Sequence, residues 1–202
     1  MPFVLVLLQV LLLGGCNRHH VPRLAHLGSE DTILAFGDSL TFGTGAMPTE
    51  SYPSQLAQRT GHTVINAGIP GEITRAGLER LPRTLDETQP KLVILCLGGN
   101  DMLQRLDKAQ MKNNLAAMIR EIRGRSIPVV LLGVPAPAIF SLKAEPVYAD
   151  LAEEFKTPLE AEILPKLLSD RSRKSDEIHP NAQGYRELAE AIAGLLHDAG
   201  AL

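Results

Sequence analysis

Leu92-Val-Ile-Leu-Cys-Leu97, preceded by Lys91, is apolar at every position without alternation, and it constrains the chain more than any other segment. A strand with apolar side chains on both sides needs cover on both faces, the condition of a central strand in a parallel sheet flanked by helices. The neighbouring segments fit that frame. Thr32–Phe36 is a short apolar run ending at Gly37, His62–Asn66 reads as a second strand, and Pro128–Leu132 as a fourth. A short extended piece is expected near Pro158-Leu159. Between them the periodicity is helical. Ser51–Arg59 is predicted to form a helix stopped at Thr60-Gly61, and Ile73–Leu85 a second that ends before Pro90. Met111, Leu115, Met118, Ile119 and Ile122 share one helical face, and a helix is expected over Val147–Phe155. Ala182, Tyr185, Leu188, Ala189, Ile192, Leu195 and Leu196 form the stripe of a long terminal helix. Strands alternating with helices predict an α/β chain with right-handed crossovers.

Composition narrows the function. The 202 residues suit one domain, and a formal net charge of −3 with 20 Lys+Arg against 23 Asp+Glu argues against a nucleic-acid partner. The two cysteines, Cys16 and Cys96, build neither a disulfide framework nor a Cys-rich zinc site. Cys96 lies in the apolar strand and is expected to be a buried thiol.

The N-terminus reads separately. Phe3–Leu13 is apolar but shorter than the about 20 residues that span a bilayer, and fits the h-region of an export signal. Leu13-Gly14-Gly15-Cys16 resembles a bacterial lipobox, in which the cysteine becomes the lipidated first residue. A plain secretory signal or a buried apolar element are the other readings. The expected organisation is a lipoprotein-type signal peptide over 1–15, a tether over 16–29 and a folded domain over 30–202. Membrane attachment through a lipid on Cys16 is expected, with export to the cell envelope (periplasm) and a monomeric state.

Parallel sheets carry their chemistry at the carboxyl ends of the strands. Gly37-Asp38-Ser39, Asn66–Gly71 and Gly98-Gly99-Asn100-Asp101 collect there, after the first three strands. Ser39, on a tight turn, suits a nucleophile whose own N–H can face an oxyanion, though Asp-Ser after a strand also serves as a helix cap. His179, in Asp176-Glu-Ile-His179-Pro180-Asn181 before the last helix, suits a general base. Asp176 is close enough in sequence to orient its ring, although a capping turn would look the same. Gly71 can offer a backbone N–H and Asn100 a side-chain amide to a developing oxyanion. Asp38 is expected to hold the turn and Asp101 to cap the following helix.

Phe36-Gly-Asp-Ser-Leu-Thr41, Asn66-Ala-Gly-Ile-Pro-Gly71, Leu97-Gly-Gly-Asn-Asp101 and Asp176-Glu-Ile-His-Pro-Asn181 resemble the four sequence blocks of the SGNH (GDSL-type) hydrolases. Within that superfamily the chain looks most like the bacterial arylesterase, acyl-CoA thioesterase I and lysophospholipase L1 group. Gly71-Glu-Ile-Thr74 and Gly77-Leu-Glu-Arg-Leu-Pro82 carry the closer likeness. The resemblance implies a flavodoxin-like three-layer α/β/α sandwich with a five-stranded parallel sheet. It implies Ser39 as nucleophile, His179 as base, Asp176 as its partner, and an oxyanion hole of the Ser39 and Gly71 N–H groups with the Asn100 side chain. No metal or organic cofactor is implied, and the expected substrate is a small-molecule ester or thioester. A carbohydrate O-acetylesterase, a catalytically inactive binding lipoprotein and a flavodoxin-like cofactor binder are the alternatives. Ile69, Pro70, Val134, Pro135, Ile139 and Phe140 are candidates for an acyl groove, with loop packing as the plainer reading.

Overall fold

The computed structural model describes residues 21–136 and 143–202. Five strands form one sheet: β1 (Ile33–Gly37), β2 (Val64–Gly68), β3 (Leu92–Cys96), β4 (Val129–Leu132) and β5 (Leu159–Glu160). Every pairing is parallel and the order is β2-β1-β3-β4-β5. This is the flavodoxin-like order, in which the chain reverses direction across the sheet beside β1. β1, β3 and β4 are buried throughout, as their unbroken apolar runs require.

The helices are α1 (Ser39–Phe42), α2 (Tyr52–Thr60), α3 (Thr74–Thr88), α4 (Gly99–Leu103), α5 (Lys108–Gly124), α6 (Pro146–Phe155), α7 (Ile163–Ser169) and α8 (Ala182–Asp198). Right-handed crossovers divide them between the two faces. The β1-to-β2 connection runs one way along the sheet and those to β3 and β4 run the other. Accordingly α2 packs on α8, whereas α3 packs on α5 and α5 on α6. Polar side chains start two of the long helices. Asp107 accepts from the Ala109 and Gln110 N–H groups at 2.7 and 3.0 Å, and Asn181 from Gly184 at 3.0 Å.

Four features differ from the sequence reading. The second strand lies two residues later than expected. Asn66, Ala67 and Gly68 belong to it because they register with Ala35, Phe36 and Gly37 of β1. The helix expected over Ile73–Leu85 runs on to Thr88. α7 was not expected, and it carries Pro165. In the first turn, however, its missing N–H has no intrahelical acceptor to lose. Finally, residues 21–28, assigned by sequence to the tether, lie along the domain. The Leu24 and Leu27 N–H groups donate to Ala199 and Ala201 carbonyls, both at 2.9 Å, and the Leu27 side chain is buried.

Candidate active site

Ser39 is the first residue of α1, immediately beyond β1. The Asp38 side chain caps that helix, its Oδ1 accepting from the Leu40 N–H at 3.0 Å, so Asp38 does hold the turn. The turn sits tightly against β3. A Cβ on Gly37 would lie 2.2 Å from the Cys96 carbonyl oxygen and 2.3 Å from Thr41 Oγ1, so only glycine fits there. Cys96 is fully buried, and burial raises its thiol pKa well above the usual range.

His179 lies in the loop before α8 and reaches back across the sheet end, with Nε2 2.9 Å from Ser39 Oγ. Its Nδ1 stands 2.8 Å from Asp176 Oδ2. Asp176 Oδ1 accepts in turn from the Ile178 and His179 N–H groups at 2.8 and 2.9 Å, which closes the loop on itself. Partial burial opposes ionisation of Asp176. The hydrogen bonds from His179 and Ile178 outweigh it and hold the carboxyl below the usual carboxylate range. The loop is fastened to the serine side by Tyr185 of α8, whose hydroxyl donates to the Thr44 carbonyl at 2.8 Å.

Asn100, in the first turn of α4, brings in the other two blocks. Its Nδ2 donates to the Glu72 carbonyl at 2.9 Å and to Asp38 Oδ2 at 3.3 Å. Those two acceptors are the chain neighbours of Gly71 and Ser39, so one amide ties three loops together. Gly71 is exposed, with φ +80°, a conformation that glycine adopts without strain. Asp38 is fully buried. Desolvation, with the nearby Glu72 and Asp101 charges, outweighs the Leu40 hydrogen bond and pushes its carboxyl up to about 7.

Asp101 is a correction. It does not cap the helix that follows it. From α4 it reaches to the start of α3, accepting from the Thr74 N–H at 2.8 Å and the Thr74 hydroxyl at 2.6 Å. Asn114 of α5 donates to the same hydroxyl at 3.0 Å. Sequence reading also left Glu72 and Arg80 without a role. Glu72 is buried and forms a two-pronged ion pair with Arg80. The available signal was a carboxylate and an arginine eight residues apart inside the block that carries the closer family likeness.

The candidate groove residues divide. Ile69 and Pro70 are exposed on the β2–α3 loop. Val134 is part of the hydrophobic core, and Pro135 is buried and bridges to Ala144. Ile139, Phe140 and Cys16 lie outside the described residues. Among the described residues no three His, Cys, Asp or Glu side chains group as metal ligands, and no helix is long and apolar enough to cross a membrane.

Comparison with known proteins agrees with this geometry. The GDSL-like Lipase/Acylhydrolase family matches residues 35–187. The chain is 31% identical to Esterase TesA of Pseudomonas aeruginosa, over 92% of this chain and 96% of that one. It is 29% identical to Thioesterase 1/protease 1/lysophospholipase L1 of Escherichia coli (strain K12), over 87% of this chain and 91% of the relative. The crystal structure of TesA superposes with a TM-score of 0.75 at 30% identity, covering 83% of this chain and 99% of the other. The chain belongs to the GDSL-like lipase/acylhydrolase family and is a carboxylic ester hydrolase.

Proposed function

We propose that the protein hydrolyses small-molecule carboxylic esters and thioesters through an acyl-enzyme on Ser39. The observation that carries this reading is the 2.9 Å approach of His179 Nε2 to Ser39 Oγ, with Asp176 behind the ring. With Asp176 ionised, Nδ1 keeps its proton as donor and Nε2 is left to accept the serine proton. Ser39 attacks the carbonyl carbon, and His179 takes the proton. The oxyanion is stabilised by the Ser39 and Gly71 N–H groups and the Asn100 amide. His179 then protonates the leaving alcohol or thiol. Water, deprotonated by the same ring, releases the acid and restores the serine.

Apolar side chains near the catalytic residues in the chain are open to an acyl group. Phe42, Ile69 and Ile178, which flank Ser39, Gly71 and His179 in the chain, are 51%, 46% and 41% exposed. These exposed apolar side chains support an aryl or fatty acyl substrate, as do the names of the esterase and thioesterase/lysophospholipase relatives. Export with lipidation of Cys16 completes the proposal and rests on the Gly14-Gly15-Cys16 motif. Residues 24–27 run beside the carboxyl end of α8, whereas His179 precedes its amino end, about 25 Å away along a 17-residue helix. An anchor upstream would therefore leave the catalytic face open to solvent.

A fluorophosphonate probe is expected to label the protein and not Ser39→Ala. Turnover of p-nitrophenyl butyrate by that variant should fall by about 10⁴ or more with folding intact. Undiminished turnover would remove Ser39 from the mechanism. Acyl-CoA, lysophospholipid and aryl esters compared at equal concentration rank the substrates, and mass spectrometry of the mature N-terminus tests the lipid.

A further inference from the structure

The ion pair between Glu72 and Arg80 stands one residue from Gly71 and is unused by the mechanism above. Glu72 carries two attachments. Its backbone carbonyl accepts the Asn100 amide at 2.9 Å, and its carboxylate takes Arg80 Nε and Nη2 at 2.5 and 2.7 Å. The carboxylate is 4% exposed, so its charge has to be met by a protein group, and that fixes the Glu72 segment relative to α3. Arg80 Nη2 also donates to the Ala67 carbonyl at 2.8 Å and to the Gly37 carbonyl at 3.3 Å. The guanidinium lies over the Phe36 ring, 3.9 Å from its centre. Every hydrogen bond it makes among the described residues thus goes to the frame of the site: the end of β1 leading to Ser39, the end of β2 leading to Gly71, and the residue that holds Asn100.

We propose that Arg80 is a positioning residue for the oxyanion hole, which sets the separation of the Ser39, Gly71 and Asn100 donors through Glu72, Gly37 and Ala67. The inference rests on the acyl-enzyme reading above. Planarity is the essential property. A guanidinium presents several N–H groups in a fixed fork and can hold a carboxylate and two carbonyls at once. A lysine ammonium in its place neutralises Glu72 but cannot reproduce that geometry. Oxyanion donors act on the tetrahedral species and little on the bound ester, so their misplacement falls on kcat rather than KM.

The test is a double-mutant cycle with p-nitrophenyl butyrate as substrate. Arg80→Lys is expected to lower kcat at least about tenfold, since displacements under 1 Å have effects of that size. KM should stay within about twofold, and Arg80→Ala should lose more. In an Asn100→Ala background, where one of the three donors is already gone, Arg80→Lys should lower kcat less than in the parent. An equal loss in both backgrounds, or a loss confined to KM or to melting temperature, would overturn the positioning role. If Arg80→Ala does not fold, Arg80→Lys alone carries the cycle. An Asn100→Ala enzyme with unchanged kcat would instead remove Asn100 from the oxyanion hole, whereas undiminished turnover by Ser39→Ala would count against the acyl-enzyme reading itself.

Discussion

Asp176 Oδ2 lies 2.8 Å from His179 Nδ1, three residues away in the same loop, while the other oxygen of that carboxylate binds the loop's own N–H groups. One side chain therefore both shapes the loop and orients the imidazole. Asp176→Asn can keep the backbone bonds through its amide oxygen but presents an amide donor to Nδ1, which favours the wrong tautomer. Its kcat on an aryl ester should fall by about 10⁴, with circular dichroism unchanged. A decrease of only a few fold would mean that another group orients His179.

Asn100 donates from one nitrogen to the Glu72 carbonyl and, at longer range, to Asp38. In the proposed oxyanion hole the same amide faces the developing negative charge. Asn100→Ala should lower kcat by about 10²–10³ while KM changes little. Steady-state kinetics with p-nitrophenyl butyrate measure both, and a change in KM alone would assign Asn100 to ground-state binding.

Asp101 satisfies two buried Thr74 donors at the start of α3. Asp101→Ala leaves both without an acceptor and should lower the urea unfolding free energy by about 3 kcal/mol. Asp101→Asn keeps one acceptor oxygen and should lose less. Equal stability of the two variants would show that the carboxylate charge, not acceptor geometry, matters here.

Asp38 gives the protein a distinctive dependence on pH. Burial raises its folded pKa to about 7 from an ordinary value of 3.8, so between those values the unfolded chain releases a proton that the folded chain keeps. The associated stability is fully present below about pH 4 and declines as pH rises to 7, by on the order of 4 kcal/mol. Asp38→Asn retains an acceptor for the Leu40 N–H and has no carboxyl to titrate. Its unfolding free energy relative to the parent should rise between pH 4.5 and pH 8. A constant difference across that range would mean that Asp38 is already ionised in the folded protein at low pH.

The fold was legible wherever a segment's side chains had to satisfy one periodicity over many residues. The uninterrupted Leu92–Leu97 run could only be a covered central strand, and the stripe from Ala182 to Leu196 could only be a helix face. Short elements were not legible. α1 and α4 are 4 and 5 residues long, too short to display a period, and neither was assigned from the sequence. Ala67 and Gly68 looked like turn chemistry but are strand, because pairing with β1 outweighs the poor strand propensity of Ala and Gly.

The candidate catalytic residues were legible as residue types at strand ends, and the resemblance supplied their proposed roles. Their support was not legible. Nothing in the local sequence says that Asp101 should leave its own helix for Thr74, or that Arg80 should span Glu72, Ala67 and Gly37.

Sequence by itself determined the alternation of strands and helices, the sign and size of the charge, and which side chains could carry acyl transfer. These follow from local periodicity and from the chemistry of single residues. Only the tertiary structure decided that an imidazole 140 positions from a hydroxyl would meet it at 2.9 Å, and that one asparagine would join the neighbours of Ser39 and Gly71. Those distances are set by strand order, register and the handedness of the crossovers, which are properties of the whole packed chain and are encoded in no single segment of it.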